Sequence, residues 1–430
     1  MEDLGNLDAY LGHLCAALGH ADRETSLKDY CRGLMLPIAR KSIEPLAAHA
    51  DPLRVCAKHQ SLHHFVAKSG WSDSAMLESV RQWVQPALMA QTGYYWIVDD
   101  TGFPKKGKHS VGVARQYCGQ LGKQDNCQVA VSLSLATEVG SVPIAYRLYV
   151  PKDWANDPVR LRKAGVPEGI AFATKPQIAL EQLRAAVMAG VPPGIVLADA
   201  GYGDETAFRD GVTALGLLYA VGIKPATSVW APGMSPLPPI PQSGAGRPTK
   251  LLRREPGHEP ISVKALAMEL PPESYQEISW REGTNATLSS RFAALRVRPA
   301  HLDYRLSEAR AEEWLLIEWP AGDVEPLKYF LSTAPSDATL EQIVFVTKMR
   351  WRIERDYQEL KQEFGLAHYE GRGWQGFHHH ATLCIAAYGF LVAERLKHRR
   401  AKKNSAPSEI LALPDNYVPR GSRAGTTPRG

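Results

Sequence analysis

The 430-residue sequence has no uninterrupted apolar run long enough to cross a bilayer, so no membrane-spanning helix is expected. Its acidic start, MEDLGNLDAY, lacks the basic-then-apolar form of a signal peptide, and a cytoplasmic protein is expected. Cysteine is sparse and unpatterned. Cys15, Cys31, Cys56, Cys118, Cys127 and Cys384 include no CxxC spacing, which speaks against a zinc ribbon or disulfide scaffold and for reduced, small apolar side chains. Cys118 and Cys127, near an expected hairpin, are the pair placed to meet across strands. No heptad run is present to enforce a coiled-coil dimer. Charge of one sign is also scarce: with a formal net charge of only +5, a nucleic-acid binder would carry local basic patches rather than a wholly cationic surface. What remains, 44% apolar and 22% charged residues, describes a globular protein with a large core, long enough for two or three domains.

The most informative segment is RWRIERDYQELK, residues 350 to 361. At about 100° per residue, Ile353, Tyr357, Leu360 and Phe364 form an apolar stripe, and Arg350, Glu354 and Lys361 fall within roughly 40° of one another along its edge. A carboxylate at the rim of a core, flanked by two cations, suits a metal ligand beside phosphate-binding groups. Alone, the helix reads better as an ordinary amphipathic helix with a few solvated ion pairs. Two further acids shift that balance. In YYWIVDDTGFPKKGKHS a buried strand is expected to deliver Asp99 and Asp100 at its end, and in PPGIVLADAGYGDETAF the run Ile195 to Ala198 ends at Asp199. Each also reads as an aspartate capping the following turn or helix.

With these three segments the chain resembles the DDE transposases of bacterial insertion sequences, which have an RNase H-like catalytic core. Their helical signature is tyrosine, two residues, arginine, three residues, glutamate, six residues, lysine; here it is met by Arg350, Glu354 and Lys361, with Thr347 in place of the tyrosine. DDTGFPKKGKHSVGVARQYCGQLGK, VLADAGYGD and WREGTNATLSSRFAALRVRP resemble one branch of the family, and the likeness runs from about Tyr94 to Arg395. The resemblance implies Asp99, Asp199 and Glu354 as catalytic metal ligands, with Asp100 as the alternative first acid. It also implies two Mg²⁺ or Mn²⁺ ions, double-stranded DNA (the terminal inverted repeats and target) as partner, a homodimer or larger form on DNA, and a bacterial, nucleoid-associated location. Carboxylate oxygens holding two divalent ions can activate a water or 3′-hydroxyl and stabilise the leaving oxygen of an in-line displacement, so no histidine base is needed.

The expected class is α/β: an RNase H-like mixed sheet flanked by helices, with an inserted, mainly β subdomain and an amino-terminal helical domain. Residues 1–92 read as short helices, and SLHHFVAKSGWSDSAMLESVRQW reads either as a helix-turn-helix DNA reader or as a plain helical hairpin. Residues 93–224 read as the first part of the core, where Lys105, Lys106, Lys108 and His109 crowd the turn after the first acid as DNA-phosphate contacts or a solvated loop. The 154 residues between Asp199 and Glu354 are too many for a simple crossover, so 225–326 is expected to be inserted. It opens on a Pro/Gly-rich loop containing GRPTK, read as a mobile linker rather than a minor-groove-binding arm. Trp280 and Arg281 are candidates to stack on a base and hold a phosphate, and Arg291, Arg296 and Arg298 cannot all share one strand face. Residues 327–398 return to the core, with one long helix expected from about Ala338 to Phe364. His378, His379 and His380 point about 100° apart on a helix and cannot jointly bind one ion, so they are expected to cap the helix start or touch phosphate. Residues 399–430 are a basic tail, expected to be disordered. Two other readings stay open: a catalytically idle relative that binds DNA, and a hydrolytic nuclease with the same core.

Overall fold

A computed structural model of the protein describes residues 2–89, 93–240, 250–282 and 287–402. GRPTK apart from its lysine, and the tail beyond Lys402, lie outside the described residues. The described residues form two compact units, one of 2–192 with 351–402 and one of 193–350.

In the first unit the three- and four-residue apolar spacings give helices α1 (Glu2–Cys15), α2 (Glu24–Met35), α3 (Ile43–Ala50), α4 (Val55–Ala67) and α5 (Asp73–Leu88). Leu27, Tyr30, Cys31 and Leu34 of α2 and Met76, Val80, Val84 and Leu88 of α5 are buried as that spacing requires. Ser72 caps α5 by accepting from the Ala75 amide at 3.2 Å. α4 and α5 each pack on the carboxy-terminal helix, Trp374–Lys402, whose His379 ring stacks on Trp71 in the turn between them at 3.6 Å. That helix also receives the Tyr10 hydroxyl on the Ala386 carbonyl at 2.7 Å.

The same unit holds four antiparallel strands: β1 (Tyr95–Pro104), β2 (Ala114–Cys118), β3 (Lys123–Ala136) and β4 (Ser141–Leu148). β3 pairs with β1 along one edge; its other edge takes β2 near its start and β4 near its end. From Cys127 to Ala136 every residue of β3 is buried, because both faces of this sheet are covered. The helix Lys175–Met188 covers one face, where Gln182 donates to the Val131 carbonyl at 3.1 Å. The helix Trp351–Gln362 covers the other. Ile353 and Leu360 of that helix are wholly buried, each contributing about 1.5–3 kcal/mol of apolar burial. Cys118 and Cys127 are buried together as free thiols.

The second unit builds its sheet from β5 (Ile195–Ala198), β6 (Tyr219–Ile223), β7 (Ser228–Trp230), β8 (Ile261–Ser262), β9 (Gln276–Glu282), β10 (Thr287–Pro299), β11 (Glu313–Trp319) and β12 (Lys328–Ser332). β5 and β6 are parallel, joined through the helix Thr206–Ala214; the order then runs β6-β12-β11-β10-β7-β8, all antiparallel, with β9 on β10. Antiparallel strands, a helix, a parallel strand, a helix and a second parallel strand, in that chain order, are the RNase H-like plan. The strands β7 to β11 fall within residues 225–326. The protein is of the α/β class expected. Among the described residues no helix is long and apolar enough to cross a membrane.

One expected element is corrected. The single helix from about 338 to 364 is two, Leu340–Lys348 and Trp351–Gln362, with Met349 and Arg350 in a turn between them. Thr347 donates its hydroxyl to the Ile343 carbonyl at 2.7 Å, a back-bond that competes with the helical ladder and favours a bend. Arg350 is therefore not on the helix that carries Glu354.

Candidate functional site

β1 does not end at its acids. Its ladder with β3 continues through Phe103↔Gln128 and Pro104↔Cys127, so Asp99 and Asp100 lie in mid-strand rather than at a tip. Successive strand residues face opposite ways, and the two acids are thereby separated. Asp100 lies opposite Val131 and forms an ion pair with Lys175 at 2.9 Å, on the face covered by Lys175–Met188. Asp99 lies opposite Ser132, on the other face, with one of its oxygens accepting from the Asp100 amide at 2.8 Å.

Ser132 is hydrogen-bonded to the Tyr357 hydroxyl, and Tyr357 stands three residues after Glu354 on the helix Trp351–Gln362. Burial holds the Tyr357 hydroxyl well above its ordinary pKa, and the nearby Asp99 carboxylate adds to the shift, as Asp100 does. The first unit thus sets Asp99 on the sheet face against which the Glu354 helix packs. Glu354 itself is exposed. Two residues on, Asp356 is buried and accepts from Ser141 at 2.6 Å and Tyr388 at 2.8 Å, which fixes the helix against β4 and the last helix. Burial raises Asp356 to about 6, the Ser141 and Tyr388 donors opposing the shift. Ser132, Tyr357 and Asp356 are the residues that sequence reasoning missed; for Tyr357 the signal was its spacing from Glu354, read only as part of an apolar stripe.

Asp199 belongs to the second unit and stands, as expected, at the end of β5. It is exposed, and it also caps the turn Ala200–Gly203 by accepting from the Gly201 amide at 2.8 Å. The glycine of this turn has a steric reason. A Cβ on Gly203 would lie 2.2 Å from the Gly222 carbonyl oxygen and 2.6 Å from the Val221 Cβ, so only glycine lets the turn close on β6. Gly203→Ala is expected to cost about 3 kcal/mol by overpacking against backbone. Urea unfolding checks this, and a loss below about 0.5 kcal/mol would contradict the packing.

The cationic candidates divide. Lys361 points inward: its ammonium donates to the Gly102 carbonyl at 2.8 Å and to Gln120 at 3.2 Å, 5.0 Å from the centre of the Phe103 ring. Burial lowers its pKa to about 8. Lys105 folds back onto the Tyr369 carbonyl at 2.8 Å, whereas Lys106 and Lys108 are exposed. Trp280 is half-buried at the edge of the cluster of Phe292, Leu316, Ile343 and Val344, with the Lys348 ammonium 4.2 Å from its ring centre, and Arg281 is half-buried beside it. Arg291 donates to the Trp319 carbonyl, Arg296 to that of Glu312 and Arg298 to that of Arg310.

The histidine run is corrected outright. His378, His379 and His380 are 5%, 2% and 2% exposed, and their ring nitrogens bond within the fold. His378 accepts from the Leu148 amide at 3.2 Å and bonds the Trp374 carbonyl at 2.9 Å. His379 lies between the Val66 and Trp71 carbonyls, and His380 between the Tyr30 hydroxyl and the Gly365 carbonyl. They join the last helix to the rest of the unit. Among the described residues no three His, Cys, Asp or Glu side chains cluster as a metal-holding group.

The family described as DDE superfamily endonuclease matches residues 13–287, a span that includes Asp99 and Asp199 and stops short of Glu354. A 166-residue segment is 32% identical to the "Probable transposase for insertion sequence element IS701" of Microchaete diplosiphon, covering 38% of this chain and 40% of that relative. The match thus spans less than half of the relative's length. Members of the DDE superfamily generally act with divalent metal ions. Because the family match covers more than half of the sequence, the chain belongs to the DDE superfamily of endonucleases.

Proposed function

We propose that the protein is a transposase that cleaves double-stranded DNA at the ends of an insertion sequence and joins the freed 3′-hydroxyl to target DNA, with Asp99, Asp199 and Glu354 holding two Mg²⁺ or Mn²⁺ ions. The observation that carries this reading is the face selection at β1: Asp99, not Asp100, lies on the side covered by the Glu354 helix, and the Ser132–Tyr357 bond holds that helix in place. The donor set fits the ions. Three carboxylates offer hard oxygen ligands, with no thiolate or imidazole among them to favour zinc. When bound, such ions polarise the scissile phosphate and lower the pKa of the attacking water or hydroxyl. The chain's own part is to fix the acids: the β1–β3 ladder sets Asp99, the cap to Gly201 orients Asp199, and Asp356 anchors the helix of Glu354. Moving a segment requires two ends held at once, and with no preformed coiled coil the active form is a dimer or larger assembled on DNA.

The test incubates the protein with labelled element ends and a target plasmid, with and without Mg²⁺. Metal-dependent end cleavage followed by covalent joining to the plasmid is the expected result. Cleavage without joining would make the protein a hydrolytic nuclease, and binding without either reaction an idle relative.

A further inference from the structure

A cleft of about 700 Å³ opens in the first unit between α4, the short helix Pro158–Lys163 and the segment 368–376, with neither Asp99 nor Glu354 in its lining. Its wall carries the exposed side chains of Lys68, Arg162, Lys163 and Arg372, with His63 beside them. None of those four cations is paired with a carboxylate among the described residues. Of the acids that line the cleft, Glu370 is held by Arg40 and Glu44 is exposed at the rim. Four unpaired cations lining one concave surface focus a positive potential that a chain of net charge +5 carries nowhere by default.

The cleft is joined physically to the strand that bears Asp99. Arg160 donates to the Lys108 carbonyl at 2.8 Å, the Val111 amide to the Arg372 carbonyl at 3.0 Å, and the Trp374 amide to the Ala164 carbonyl at 2.8 Å. The exposed Lys106 and Lys108, in the loop that follows β1, therefore continue the row of cations from the cleft towards that strand. From Asp99 to the end of β1 is five residues, or about 17 Å of strand, which is the rise of about five base pairs.

We propose that this cleft holds one phosphate backbone of the DNA duplex flanking the cut site, with Lys68, Arg162, Lys163 and Arg372 as its phosphate contacts and Lys106 and Lys108 continuing the track towards Asp99. It rests on the reading above only in taking DNA as substrate. The backbone of a duplex is the occupant favoured by the charge, since the cleft's four exposed cations outnumber its one exposed ring, that of His63.

The experiment measures binding of a fluorescent 30-base-pair duplex of arbitrary sequence, without metal, across a salt series. The variants are Arg162→Gln/Lys163→Gln and Lys68→Gln/Arg372→Gln, with Lys28→Gln/Arg32→Gln as an equal-charge control, since those two cations are already held by Glu24 and Asp8. Each cleft variant is expected to lower the slope of log affinity against log salt by about 1.8 units, and the control to leave it unchanged. Thermal unfolding confirms that each variant is folded. Unchanged slopes in both cleft variants, or an equal fall in the control, would overturn the proposal. So would a fall seen with a single strand of the same length but not with the duplex. Because no cleavage is read, the outcome is independent of whether the wild-type protein cuts DNA.

Discussion

Asp99→Asn and Glu354→Gln are each expected to reduce Mg²⁺-dependent end cleavage by about 10³-fold or more while leaving duplex binding within about threefold, because a metal ligand is worth several kcal/mol in the transition state and little in the ground state. Asp100→Asn separates this account from its alternative. Asp100 is engaged by Lys175 on the opposite face of β1, so its loss is expected to cost about 1 kcal/mol of stability and to leave cleavage within about tenfold. Equal loss of cleavage in Asp99→Asn and Asp100→Asn would show that the face selection does not decide which acid works. Parallel loss of binding and cleavage in a folded Glu354→Gln protein would show that Glu354 serves DNA contact instead.

The second large effect concerns His380. Its two ring nitrogens are both used: one accepts from the Tyr30 hydroxyl at 2.8 Å, which leaves the other to donate to the Gly365 carbonyl at 2.9 Å. The ring is thus neutral with a fixed tautomer. His380→Ala leaves two buried polar groups without partners and a void, and is expected to destabilise the protein by about 3–5 kcal/mol at pH 7. Burial lowers the pKa of His380 from 6.5 to about 4, so the unfolded chain binds the extra proton between those values. The stability this histidine contributes is fully present above about 6.5 and is lost as pH falls towards about 4, on the order of 3 kcal/mol in all. The difference in unfolding free energy between wild type and His380→Ala should therefore shrink from pH 7 to pH 4.5. The difference is the quantity to read, since Asp73 and Asp356, raised by burial to about 7 and about 6, move the absolute stability the other way. A difference that stays constant over that range would contradict the neutral, doubly bonded ring.

Much of this was legible in the sequence because the deciding physics is local. The aromatic and β-branched run before Asp99 makes a strand in almost any context, and Ile195 to Ala198 ending at Asp199 makes a buried strand with an acid at its tip. The stripe of Ile353, Tyr357, Leu360 and Phe364 is buried as its spacing requires. The rest depended on partners distant in the chain. Alternation along β1 separates Asp99 from Asp100, but which acid meets the Glu354 helix is set by Ser132 and Tyr357, which no local pattern pairs. Spacing shows that three consecutive histidines cannot share an ion; it does not reveal that they reach Leu148, Val66 and Tyr30. The break after Lys348 goes with the Thr347 hydroxyl bonding back to its own helix, which spacing does not reveal. Lys361 fits a phosphate-binding position by spacing, yet its ammonium is taken by the Gly102 carbonyl of the strand it packs on.

Asp99, Asp199 and Glu354 are proposed to hold the same metal ions. Replacing Mg²⁺ with Fe²⁺ and adding ascorbate and peroxide generates hydroxyl radicals at the bound ion, which cut the polypeptide within a few ångströms of it. Cuts are expected at three places in the chain, near residues 99, 199 and 354, all suppressed by excess Mg²⁺ and by Glu354→Gln. Cuts confined to other segments, or Mg²⁺-protected cuts near 99 and 354 with none near 199, would contradict it.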